Sequence, residues 1–334
     1  MNKLLFAAIC SMAMLAGCQQ AEEIVNPGEE LPMSIEASIG KSDVVTGRYA
    51  GETPNNVSFK NDDAIGLLVN NGNFTQWTYN SNIWSQTGSN SVNWNNKKDN
   101  HTFYAFYPFA ENATLMEIKM PILADQNGSM ASVASRDFLY TTKTQSYGSE
   151  GKVSFTDEHA FAHISSLLAI TIKGDGDLAA ATIENITIEG TDILTQSTFS
   201  FNPNEEGINP EVILSTEEDK KGNLLTATLS HPINSSDKTF YFIVNAETVN
   251  LSDVKLSIAY SFSNGDNYKA EVIGLNKNVN DQFISGKQYA YTLKIQDRIL
   301  IISGSGIKEW GNGESLGEII INGTKQEESG NENA

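Results

Sequence analysis

The sequence predicts an all-β protein of sandwich-like units, and three observations predict it. Short runs rich in β-branched and aromatic residues either alternate apolar with polar at period two or are apolar throughout. Asn-, Asp- and Gly-rich turns separate those runs at the spacing of sandwich strands. No segment sustains helical apolar periodicity over three turns with both caps, and no short-period repeat appears.

The elements follow in order. Lys3, the apolar run Leu4 to Leu15 and then Leu15-Ala16-Gly17-Cys18 read as a secretory signal peptide with a lipobox, over residues 1–17. The run is about a dozen residues, short of the about 20 a spanning helix needs. Cys18 then becomes the mature N-terminus and carries the acyl chains, which anchor firmly where one chain alone binds marginally. The expected product is exported and lipid-anchored. Residues 18–30, acidic and holding Pro27 and Gly28, read as a flexible tether.

A first β-sandwich domain is expected over 31–174. Met33 to Ile39 alternates as a half-buried strand, and residues 41–56 form a loop carrying Arg48. Asp62-Asp63 turns the chain into a buried strand through Val69. From Phe74 to Phe109 dense aromatics punctuated by Asn-Gly and Asn-Asn suggest a strand meander, with Phe103 to Tyr107 stopped by Pro108. Short strands follow at 116–122, 138–142 and 152–155. The apolar run Phe161 to Lys173 reads as one long strand. Lys173-Gly174-Asp175-Gly176-Asp177 is the expected domain boundary.

The second domain, 175–323, opens with a strand from Ile183 to Gly190. Phe240 to Val244 reads as a central buried strand. Val254 to Phe262, the turn Asn264-Gly265-Asp266 and Tyr268 to Val272 make the clearest hairpin. Tyr289, Tyr291, Leu293 and Ile295 share one face of a further strand. Ile299 to Ile302 and Ile319 to Ile321 are the last apolar runs, and 324–334 is a polar tail.

Composition narrows the function. The 334 residues carry a net charge of −19, and losing Lys3 makes it more negative. So acidic a surface argues against nucleic acid as a partner and against basic attachment to anionic lipid. Cys10 falls in the signal and Cys18 is the anchor, so cysteine chemistry and disulfides are excluded from the mature fold. His159 and His163 would share a face on a strand, yet Ala160-Phe161-Ala162 between them lacks the glutamate of a zincin motif, and strand histidines are expected rather than a metal pair. Asp175 and Asp177 begin like a calcium loop, but Ala179 and Ala181 break the ligand ladder. Asp62 and Asp63 read as turn formers. Gly304-Ser305-Gly306 and Gly311-Asn312-Gly313 lack a phosphate-loop lysine, and there is no G-x-S-x-G elbow. No catalytic residue, metal or cofactor is expected. Trp77, Trp84 and Trp94 either fill a sandwich core or stack on sugar rings.

The lipobox is followed in order by Phe59 to Leu67, Phe103 to Pro108, Asp137-Phe138-Leu139-Tyr140, His159 to Ile164, Gly286 to Leu293 and Ile307-Lys308-Glu309-Trp310. Together these blocks resemble the fimbrillin family of Bacteroidia, the subunits and accessory lipoproteins of type V pili. Glu22 and Glu23 behind Cys18 resemble a surface-export signal of Bacteroidota lipoproteins. The resemblance implies two tandem transthyretin-like sandwiches and an outer-membrane, cell-surface or fimbrial location. It also implies assembly by removal of the first strand and strand addition from another subunit. On that reading Ile35, Ala37 and Ile39 belong to the displaced strand and Arg48 is the processing site, with Lys41 second. Ile299, Ile301, Ile319 and Ile321 are the donor-strand candidates. The partners are other fimbrial subunits, the outer membrane through the lipid, and a host or bacterial surface ligand. The alternative is a surface lipoprotein binding glycans through Trp77, Trp84 and Trp94.

Overall fold

The computed structural model describes residues 31–40, 58–88, 92–148, 150–204, 207–214, 224–276, 279 and 281–310. Cys18, Lys41, Arg48, Ile319 and Ile321 lie outside them. The first half holds β1 (Ser34–Ala37), β2 (Ala64–Val69), β3 (Thr75–Asn80), β4 (Ile83–Thr87) and β5 (His101–Tyr107). It continues through β6 (Ile118–Lys119), the short helix α1 (Met130–Ala134), β7 (Leu139–Gln145), β8 (Lys152–Phe155) and β9 (Ala162–His163). The second half holds β10 (Ser165–Ile172), β11 (Thr182–Glu189), β12 (Ser197–Ser200), β13 (Pro203–Asn204), β14 (Gly207–Ile208) and β15 (Glu211–Leu214). After these come β16 (Leu224–Pro232), β17 (Lys238–Asn245), β18 (Lys255–Ser261), β19 (Asn267–Ile273), β20 (Lys287–Gln296) and β21 (Ile299–Glu309).

The first half is built on a six-stranded sheet in the order β4-β3-β2-β5-β7-β9. Its central strand β5 is apolar without alternation because both faces of the sheet are covered. Phe103, Ala105 and Tyr107 point into the main core, while Tyr104 and Phe106 point into a second aromatic cluster. That second cluster is closed by Phe199 and Phe201, at and just after β12, which pairs with β6 in the sheet β15-β12-β6. A strand of the later sequence thus seals the outer face of the first sheet. Gly66 faces Phe106 across the ladder, and a Cβ there would lie 2.3 Å from the ring. Only glycine lets the phenyl ring lie across that strand.

The second half pairs two four-stranded sheets, β17-β10-β20-β21 and β16-β11-β18-β19. The inward residues follow the expected alternation: Leu256, Ile258 and Tyr260 on β18, and Tyr289, Tyr291, Leu293 and Ile295 on β20. Two readings of the sequence are corrected here. The run Phe161 to Lys173 is two strands, not one: β9 pairs with β7 of the first sheet, whereas β10 lies between β17 and β20. The chain therefore crosses between halves at Ile164, ahead of Gly174. The largely apolar composition on both sides of the crossing hid it from a reading of hydropathy alone. The strand around Phe240 to Val244 is also not central. β17 sits at the edge of its sheet, and its exposed side is closed by the buried Gln126 side chain, which accepts from Ile243 N–H and donates to Ile243 C=O, each at 2.8 Å. Two residues away on the same edge Tyr241 N–H donates to Gly128 C=O at 2.8 Å, so the stretch around Gln126 to Gly128 takes the place of a neighbouring strand.

Candidate functional site: the first strand and its groove

β1 stands apart from the six-stranded sheet. It runs parallel to β8 in a ladder of two strands, with Ser34 opposite Lys152, Ile35 opposite Val153, Glu36 opposite Ser154 and Ala37 opposite Phe155. Flanking main-chain bonds lengthen the contact at both ends. Trp94 N–H donates to Leu31 C=O at 2.9 Å and Ser38 N–H to Phe155 C=O at 3.0 Å. Gly40 N–H then donates to Phe161 C=O at 2.8 Å, and Phe161 N–H returns to Ser38 C=O at 2.9 Å.

The strand alternates as its sequence demands. Leu31 and Ile39 are buried, and Met33, Ile35 and Ala37 pack half-buried against the main core. Val153, Phe155, Phe161, Trp84 and Trp94 belong to that same core. Five alternate side chains from one short stretch thus roof a hydrophobic floor. Ser34 and Glu36 face outward, and Glu36 pairs with Lys152 at 2.5 Å. The Lys152 ammonium, hydrogen-bonded to it, holds the Glu36 carboxyl below the usual carboxylate range. Gly151, at φ +66, takes the strand's other end in close. A Cβ there would lie 2.6 Å from Pro32 C=O, and the Gly151 carbonyl accepts from Trp94 Nε1 at 2.8 Å.

Ile35, Ala37 and Ile39 therefore share the inward face of one strand, joined by Leu31 and Met33. Those two were not named from the sequence, although the same period extends to them. Ile299 and Ile301 sit on β21, which is paired with β20 along its whole length. It is Leu300 and Ile302 beside them that face the core, while Ile299 is 62% exposed.

The three tryptophans are not a sugar platform, and that alternative is corrected. Trp77, Trp84 and Trp94 are 4%, 5% and 3% exposed. Trp84 meets Phe59 edge-on at 5.0 Å and Trp94 meets Phe103 edge-on at 5.1 Å. Their apolar area is consumed by the floor beneath the first strand. His159 and His163 also part company. His159 ends a 3₁₀ turn with Nδ1 at 3.0 Å from Thr142 C=O, whereas His163 is buried on β9 with Nδ1 3.0 Å from Asp137 Oδ1. Asp63 works as a turn former, accepting from Lys60 N–H and from the Tyr107 hydroxyl, beside Asp62 at φ 72.

One constellation went unread in the sequence. The imidazole of His163 stacks on the indole of Trp310, with centroids 3.8 Å apart and planes at 11°. Asp137 beneath it is fully buried. The three residues lie in three separate sequence blocks, and only the fold brings them together.

Comparison with known proteins gives the following. A family model described as fimbrillin-like matches residues 49–310. No curated protein sequence matches the chain significantly. Among solved structures, a candidate cell adhesion protein from Bacteroides uniformis superposes with a TM-score of 0.58 at 15% identity, over 84% of this chain and 99% of that one. A second, from Bacteroides ovatus, gives 0.55 at 15% identity, over 84% and 98%. At that identity the likeness is one of fold.

Proposed function

The chain belongs to the fimbrillin-like family, and from that premise we propose that it is a structural, non-enzymatic subunit of a cell-surface fimbria, exported as a lipoprotein on Cys18 and assembled by strand exchange. The observation that carries the reading is the isolation of β1. It fills a hydrophobic groove through five alternate side chains, and its ladder, among the described residues, is with β8, extended by single bridges to Asn93 and Phe161. Such a strand can leave without dismantling another sheet, and the vacated edge offers main-chain donors, acceptors and apolar pockets to a replacement.

Two features support the remaining parts. Arg48 lies between the first strand and the stretch matched by the family model, which begins at Tyr49. The other arginines are engaged in the fold: Arg136 donates to the Asp125 carbonyl and Ser132, and Arg298 lies over the Tyr268 ring at 4.5 Å. Arg48 is thus the processing site in this reading. As for the donor, β21 is committed to its own sheet, so Ile319 and Ile321 are the better choice over Ile299 and Ile301. The partners are other fimbrial subunits, and the outer membrane is reached through the lipid.

Intact mass and N-terminal sequencing of protein sheared from cells test this. A chain beginning at Tyr49 in high-mass, SDS-resistant ladders is expected, and Arg48→Ala should leave the chain beginning at Cys18 and abolish the ladders. Ladders of unprocessed Arg48→Ala protein would overturn the mechanism.

A further inference from the structure

Along β7 and β8 the groove presents two ammonium groups beside the first strand, in a chain whose net charge is −19. Lys152 on β8 holds the Glu36 carboxylate at 2.5 Å, and the Ser154 hydroxyl donates to the same carboxylate oxygen at 3.4 Å. The Lys143 ammonium on β7 donates to the Ser154 carbonyl at 2.6 Å and also acts on the Glu36 charge. Glu36 is the single charged residue from Leu31 to Gly40, and its neighbours on the outward side at period two are Ser34 and Ser38. The apolar side chains do not fix the register by themselves. A slip of one residue would turn the apolar set outward, but a slip of two would return apolar side chains to the floor. What such a slip would change is the outward side, where a serine would replace Glu36 beside Lys152.

We propose that Lys152 and Lys143 set the register of the strand that fills the groove by reading one carboxylate on it, and that in the assembled fimbria this carboxylate is Glu318 of a second copy. This rests on the strand-exchange reading above. Loss of the first strand takes Glu36 with it and leaves both ammoniums on the vacated edge. A replacement with a carboxylate at that one outward position regains the pair. Glu318 is the single charged residue from Ser315 to Thr324. With Glu318 in the place of Glu36, and the backbone running in the same sense, Ile319 and Ile321 fall where Ala37 and Ile39 lie. Ser315 and Gly317 fall where Met33 and Ile35 lie. The buried Ile39 position thus keeps an isoleucine, and the half-buried Ala37 position gains a larger side chain. Shifted by one residue, Glu318 would point at the apolar floor; shifted by two, Leu316 or Ile320 would meet Lys152 instead. A half-exposed ion pair changes occupancy by about fivefold or less. It therefore selects among registers, while the apolar face and the main chain supply the affinity.

Cells expressing two forms of the full chain test this. The receiving form carries Thr156→Cys and the giving form Ile320→Cys. Glu36 is opposite Ser154 in the ladder, so with Glu318 in its place residue 320 lies opposite residue 156. Oxidised ladders are expected to join the two forms through a disulfide between those positions. A receiver with Lys152→Glu and Glu36→Lys keeps opposite charges on its own first strand, yet should form about fivefold less of that cross-link. Glu318→Lys in the giver should restore it. Where that receiver is not exported, Glu318→Lys in the giver against a receiver with native charges supplies the same loss. Asn322→Cys in place of Ile320→Cys reports a strand slipped by two residues and should stay unlinked. Ladders that lack the 320–156 link, that link through Asn322→Cys, or whose link is indifferent to these charges overturn the proposal. If unaltered copies form no SDS-resistant ladders at all, it is the strand-exchange reading that fails.

Discussion

Gly151→Ala should pry the first strand off its groove while leaving the second half intact. The added Cβ would sit 2.6 Å from Pro32 C=O and 2.9 Å from the Tyr147 ring, at a residue whose φ is +66. The left-handed backbone alone costs a non-glycine residue about 1–2 kcal/mol. A carbonyl cannot rotate away as a side chain can, so the start of the strand must shift. That shift threatens the bond from Ser34 N–H to Gly151 C=O, already 3.3 Å long, and the bond from Trp94 N–H to Leu31 C=O. Each is worth about 0.5–1.5 kcal/mol net. The total is about 2–5 kcal/mol, concentrated at residues 31–40. Hydrogen–deuterium exchange by mass spectrometry reads this directly. Peptides covering 31–40 should exchange about 30- to 3,000-fold faster, at 1.4 kcal/mol per tenfold. Peptides covering β20 and β21 in the same protein serve as the internal control and should not change. Unchanged protection at 31–40, or equal acceleration in both regions, would refute the reasoning that the glycine exists to admit the first strand.

Other outcomes follow from the same geometry. Gly66→Ala should cost about 1–3 kcal/mol through collision with Phe106, and Gly66→Ala combined with Phe106→Leu should cost less than the sum of the two, as read from urea midpoints. Gln126→Ala leaves Ile243 N–H and C=O without that partner at a covered sheet edge and should lose about 1–3 kcal/mol in the same assay. The Glu36–Lys152 pair is half exposed, so Glu36→Gln should cost under about 1 kcal/mol. Because the folded carboxyl titrates below its ordinary value near 4.5, its contribution is full above that pH. It is lost as pH falls through the lower folded value, and protection factors at 31–40, corrected for the intrinsic pH dependence of amide exchange, should fall in that window in wild type but not in Glu36→Gln.

Much of this architecture is legible in the chain itself. The period-two pattern of Met33 to Ile39, the hairpin at Asn264-Gly265-Asp266 and the Tyr289 to Ile295 face all map onto strands with the expected side chains inward. What stayed hidden depends on partners distant in sequence. β9 and β10 lie in one apolar run of sequence, although they pair in different halves. β17 reads as central because Gln126 and Gly128, more than a hundred residues earlier, take the place of a missing strand. Trp84 and Trp94 are ambiguous in sequence because an aromatic that stacks on a ligand and one that roofs a core have the same composition. The Asp137–His163–Trp310 constellation offers no local spacing at all.

The parallel sense of the first strand reaches beyond the single molecule. Its ladder with β8 sets which residues fill the groove and the sense in which the chain's own backbone runs through it. A replacement strand entering in that sense arrives with its N-terminal end near Gly151 and its C-terminal end near Phe161. On the proposed exchange giver and receiver use different surfaces, so each contact is heterologous and closes two-fold only where two copies exchange reciprocally. Repetition of one such contact yields a filament with two chemically distinct ends, one presenting an open groove and the other an unplaced strand. Growth and termination on such a filament belong to different ends, and a subunit lacking either surface can occupy only one of them.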